Sequence, residues 1–132
     1  MSDEPTKNES AEPEILEVTL TRIEEPLMVR LTDGTMARYT IKEMTGTERD
    51  KYLNVMGSKI KTDTGGKATG VRDFTGIMAS LITRCLYDPE GKLVPERVIN
   101  EWPSSAQKKI FERCQKVNGL GDEKNVEAVK ND

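Results

Sequence analysis

The stretch Pro26–Leu53, PLMVRLTDGTMARYTIKEMTGTERDKYL, decides the fold class. Two runs rich in apolar residues flank Thr32-Asp33-Gly34-Thr35, and an Asp-Gly pair in that position is a strong hairpin signal, because glycine takes positive φ without a Cβ clash. The spacing predicts two paired strands, with Val29 and Leu31 facing one way and Met28 and Arg30 the other. The second run then gives way to a helix start. Thr45 and Glu48 stand in capping-box spacing, and Tyr52, Leu53, Met56 and Ile60 follow at helical intervals. A hairpin that runs directly into a capped helix points to an α+β domain.

Upstream, Ile15, Glu17, Thr19, Thr21 and Ile23 interleave with Leu16, Val18, Leu20 and Arg22, an alternation that would add a third strand. Downstream, Lys61 to Gly70 (KTDTGGKATG) reads as a flexible loop. Asp73 is the expected cap of a central helix whose stripe is Phe74, Ile77, Met78, Leu81, Ile82, Cys85 and Leu86. A polar turn over residues 87–92 precedes Pro95, which suits a first helical turn leading Val98, Ile99 and Trp102. Pro103 ends that helix. Ser104 or Ser105 is the expected cap of the last one, with Ala106, Ile110, Phe111, Cys114 and Val117 inward and a glycine stop at Asn118-Gly119. The sum is a single α-rich α+β domain over residues 15–120, with a small N-terminal β-hairpin (three strands if 15–23 joins it) and about four helices after it. Residues 1–14 read as an acidic disordered arm and 121–132 as a polar flexible tail.

Composition limits the core and the chemistry. Of 132 residues, 35% are hydrophobic and 33% charged, an apolar share below and a charged share above those of typical globular domains. The net charge is −3 but uneven: residues 1–25 carry eight acids and two bases, leaving 18 bases against 15 acids in the rest. That excess is too mixed for a nucleic-acid footprint. No apolar run approaches the ~20 residues that a bilayer requires, and the acidic start is unlike a secretory leader. There is no histidine, which removes the commonest general base and metal ligand and every Ser-His or Cys-His nucleophile. Cys85 and Cys114 read as small buried hydrophobes in a reducing compartment, not as a zinc site or a disulfide.

Candidate motifs fall short of chemistry. Gly65-Gly66-Lys67-Ala68-Thr69-Gly70 lacks P-loop spacing, since Val71 and Arg72 follow the last glycine. Asp88-Pro89-Glu90-Gly91 holds only part of a calcium loop. Glu48 with Asp50, and Glu24 with Glu25, read as helix-start and surface charges, not as a pair facing across a cleft. No catalytic, cofactor-binding or metal-binding residue is expected. Candidate partner-binding residues are Lys108, Lys109, Arg113 and Lys116, a basic face opposite the last helix's apolar stripe, together with Trp102, the only tryptophan, and Met36 and Met44, the methionines expected at the surface. A solvated face for the four cations and a core role for Trp102 are the plainer readings.

In order of elements the chain resembles the tail assembly chaperones of long-tailed bacteriophages and prophages. The resemblance is carried by PLMVRLTDGTMARYTIKEMTGTERDKYL, FTGIMASLITRCLYDPEGKLV and VINEWPSSAQKKIFERCQKVNGL, and so covers residues 26–120. Its most familiar element is the Asn118-Gly119-Leu120 ending before a short charged tail. The resemblance implies a non-enzymatic protein of the host bacterial cytoplasm. Such a protein binds the tape measure protein, keeps it soluble, helps recruit tail tube subunits, and is absent from the mature virion. It implies no cofactor, nucleic acid or membrane, and leaves self-association open. It also implies a longer product made by a minus-one ribosomal slip, with which the Lys124-Asn125 and Lys130-Asn131 pairs are compatible. The rival readings are a minor tail or connector component retained in the particle, or a small host-interaction module.

Overall fold

The computed structural model describes residues 12–120. The expected tail at 121–132, with its two Lys-Asn pairs, and all but the last three residues of the expected arm lie outside them. Strands β1 (Glu24–Arg30) and β2 (Met36–Lys42) pair antiparallel, with Leu27 opposite Tyr39 and Val29 opposite Ala37. The turn closes as the Asp-Gly pair predicts: Gly34 takes φ 87, its N–H donates to Leu31 O at 2.9 Å, and Asp33 Oδ1 accepts from Thr35 N and Thr35 Oγ1 at 3.0 and 2.6 Å. Leu27 and Val29 lie on the covered side and Met28 and Arg30 on the open one.

The third strand of this sheet is not the expected one. Residues 15–23 form no strand, and Ile15, Leu16, Val18 and Leu20 are 66–98% exposed. The place beside β2 is taken instead by β5 (Leu86–Tyr87), which pairs with Thr40 and Ile41. Alternation set the upstream segment's pattern but supplied it with no partner edge.

Helix α1 (Gly46–Lys59) starts at the Thr45–Glu48 capping box, with both reciprocal bonds present. Of this helix Tyr52 is buried and Met56 packs against the core. The expected loose loop is an ordered ribbon, β3 (Ile60–Thr62) against β4 (Ala68–Val71). Its turn is organised by Asp63, whose Oδ1 accepts from Gly65 N and Lys67 N, each at 2.9 Å. That local carboxylate consumes amides that an anion would have needed.

Helix α2 (Ile77–Cys85) begins later than predicted. Asp73 caps a turn, accepting from Thr75 N at 2.9 Å, and Gly76 stands at the helix N-cap without a side-chain bond. Phe74 is therefore outside the helix and 75% exposed, not part of the core stripe. Ala79, Leu81, Ile82 and Cys85 are fully buried. The helix also stops before Leu86, which enters β5.

Helix α3 (Glu96–Ile99) follows Pro95 as expected, and α4 (Ser104–Val117) follows Pro103. Neither Ser104 nor Ser105 caps α4. The joint is made instead by Gln107, whose Nε2 donates to Ile99 O at 2.9 Å and Trp102 O at 3.2 Å, satisfying carbonyls at the end of α3. Helix α4 ends in a Schellman turn: Gly119 takes φ 69, Gly119 N donates to Lys116 O at 3.2 Å, Leu120 N to Gln115 O at 2.7 Å, and Leu120 packs against the core. The architecture is thus α+β, an N-terminal hairpin followed by a helical block, with four helices among the described residues. The core lies between the β1-β2-β5 sheet and α2, α3 and α4, centred on Ile41, Leu81, Ile82, Leu86 and Ile99. No helix among the described residues is long and apolar enough to cross a membrane.

Candidate functional site

Helix α4 lays its apolar stripe on the sheet and α2, burying Ile110, Cys114 and Val117. Lys108, Lys109, Arg113 and Lys116 are accordingly turned outward and exposed, as the helical spacing requires. Arg113 is not free, because it forms an ion pair with Glu25 of β1. Lys109 borders a groove of about 350 Å³ between β1 and α4. Residues 27–30 form one wall, and Pro103, Ala106, Lys109 and Ile110 form the other. Its floor is apolar and its rim basic, from Arg30 and Lys109. Sequence reasoning misses this groove, since its walls lie more than seventy residues apart in the chain and each wall reads alone as an ordinary core face.

The two candidate methionines part company. Met36 is 48% exposed at the start of β2. Met44, expected at the surface, is 7% exposed and belongs to the core. The cause is Asn118, whose Oδ1 accepts from Met44 N at 2.8 Å and draws the β2–α1 connection under the end of α4. Trp102 is half-buried and packs against the core, in agreement with the plainer reading of it. Lys108, Lys109 and Met36 are therefore surface groups, Trp102 is a flank of the core, and Met44 is withdrawn from any interface.

Asn118 joins three elements. Its Nδ2 donates to Cys114 O at 2.8 Å and to Cys85 Sγ at 3.3 Å. The two cysteines are free and buried. The hydrogen bond between Cys114 and Cys85, reinforced by burial, pushes the Cys114 thiol well above its ordinary value. A buried thiol held protonated is a poor nucleophile. Burial likewise raises the Tyr52 phenol.

A second polar cluster surrounds Arg22, just ahead of β1. Arg22 donates through Nε to Glu43 O at 2.6 Å, approaches Glu48 at 3.8 Å, and lies 5.9 Å from the centre of the Tyr87 ring. Lys42 Nζ is 4.6 Å from the same ring. These contacts pin the chain just ahead of β1 to β2 and β5, and Ile23 N adds a bond to Glu43 Oε1 at 3.0 Å. Both loop motifs weighed from sequence are spent on local turns: Asp88 Oδ1 accepts from Glu90 N and Lys92 N at 2.8 and 3.0 Å, as Asp63 does in the ribbon. Among the described residues no group of three or more Cys, Asp or Glu side chains is gathered to hold a metal ion. Comparison with protein-family models, with curated proteins and with solved structures finds no match to this chain.

Proposed function

We propose that this chain is a tail assembly chaperone of a long-tailed bacteriophage or prophage. In this reading it acts without catalysis in the host cytoplasm, binds and solubilises the tape measure protein, helps recruit tail tube subunits, and is left out of the mature virion. The order of elements over residues 26–120 motivates the reading.

The observation that carries it is the apolar surface. Twelve large hydrophobic side chains are exposed among the described residues, almost as many as the thirteen that form the core. Phe74 at 75% and Leu53 at 47% belong to the folded body and turn apolar surface to solvent. Such residues suit a protein that covers another chain's apolar stripes. Lys108 and Lys116 on the outer face of α4 would favour clients with acidic flanks.

The test is co-expression with the tape measure and tail tube proteins of the same phage, followed by pull-down and a solubility assay. Soluble tape measure protein in complex with this chain is the expected result. Failure to bind or solubilise it would overturn the proposal, and finding the chain at fixed stoichiometry in purified particles would favour a structural tail component instead.

A further inference from the structure

Strand β1 is an edge strand, and its outer side is open in only one half. Glu43 N donates to Ile23 O and Leu31 N to Thr35 O, both at 2.8 Å, which fixes the phase of the ladder. Residues 25, 27 and 29 bond to β2, and the backbone groups of Glu24, Pro26, Met28 and Arg30 point away from it. Pro26 has no N–H, which blunts the first half of this edge. In the second half the outward N–H and C=O groups of Met28 and Arg30 have no partner among the described residues, and it is there that the groove against α4 opens.

The chain also carries a segment that matches this edge and has no strand partner among the described residues, its one backbone bond being the local Val18 N to Leu16 O at 2.9 Å. Residues 14–20, EILEVTL, are non-helical and exposed, and are as many as the seven residues of β1. Leu16, Val18 and Leu20 would share one face of a strand, opposite Glu17 and Thr19. Glu14 and Glu17 complement Arg30 and Lys109, neither of which has a carboxylate partner among the described residues.

The segment cannot serve its own edge. Ile23 continues in line with β1, and Arg22 is drawn across to Glu43 and Tyr87, on the side of the sheet remote from that edge. We propose that residues 14–20 of a second copy of this chain add as a strand to the Met28–Arg30 edge of β1, seating their apolar face in the β1–α4 groove, and that the exchange is reciprocal in a two-fold dimer. This inference rests on the fold and not on the chaperone reading.

Sedimentation of the full chain over roughly two decades of concentration tests it, because such a dimer dissociates by mass action. The expected result is a monomer–dimer equilibrium. Val18→Asp, at a side chain that is 66% exposed in the single chain, should weaken the dimer about tenfold or more, with an unchanged melting temperature at concentrations low enough for the wild-type chain to be monomeric. Met28→Pro, which removes an outward N–H, should do the same. Mixing the two variants should restore association in part, since one retains an intact edge and the other an intact arm. A chain that is monomeric throughout, or a dimer indifferent to Val18→Asp, overturns the proposal. So does a concentration-independent loss of Met28 amide protection in Val18→Asp, which would mean that the arm binds its own edge.

Discussion

Replacing Asn118 with alanine isolates the contact that fastens the hairpin to the last helix. Its backbone, at φ −94 and ψ 4, accepts alanine without strain, so the loss is confined to the side chain. Two N–H···O bonds at 2.8 Å disappear, each contributing about 1 kcal/mol net, and the weaker contact to Cys85 Sγ goes with them. Met44 N is then left buried without its acceptor, which adds about 1–3 kcal/mol. The expected loss is about 3–5 kcal/mol, equivalent to a fall of at least roughly 12 °C in Tm for a domain of this size. Urea unfolding followed by circular dichroism reads it directly, and the slope of ΔG against urea should not change. A loss below about 0.5 kcal/mol, the range of ordinary surface substitutions, would refute the argument that Asn118 holds Met44 in the core.

Leu81→Ala should cost about 2–5 kcal/mol, because the side chain is fully buried, whereas Phe74→Ser should stay within about 0.5 kcal/mol; comparable losses at both would contradict the late start of α2. Cys85 and Cys114 should be silent to a thiol reagent in the folded protein at pH 8 and react together in denaturant, and fast labelling of either in native buffer would contradict their burial. The Asp33 carboxyl should titrate below its ordinary 3.8, because the Thr35 hydroxyl and amide bond its charged form, and Asp73 likewise through the Thr75 amide. Both favour the fold above the unfolded value and lose that contribution as pH falls through the folded one. A carboxyl-detected NMR titration checks this, and in Thr35→Val the Asp33 value should move back toward 3.8.

Features governed by near neighbours were legible in the sequence. The Asp33-Gly34 turn, the Thr45–Glu48 capping box and the glycine stop after α4 each depend on residues within five positions, and each has the predicted geometry. What escaped depends on distant partners. The alternation at 15–23 has the form of a strand, but β5 holds the free side of β2 and Arg22 is anchored elsewhere. Met44 looked like a surface methionine because nothing near it in sequence names Asn118, seventy-four residues on, as the acceptor of its N–H. The candidate site shows the same division. Helical spacing placed Lys108, Lys109, Arg113 and Lys116 outward, but the Arg113–Glu25 pair and the groove beside Lys109 exist only because α4 crosses β1. The β3–β4 ribbon was hidden by its glycines, which lower strand propensity, while Asp63 supplies the turn that allows pairing.

That ribbon divides the chain into parts of unequal permanence. Every residue from 61 to 70 is exposed, and the hairpin is tethered at its base through Arg72 N to Lys59 O and Lys59 Nζ to Thr75 O, both 2.7 Å. It can therefore open as a subglobal unit while the core stays closed, and its amides exchange with solvent long before those of α2. A protease that cuts after Lys61 or Lys67 would leave two fragments still joined by Ile41, Ile82 and Ile99. The same independence makes the ribbon tip the place where a tag or a foreign loop can be inserted without cost to the body that carries it.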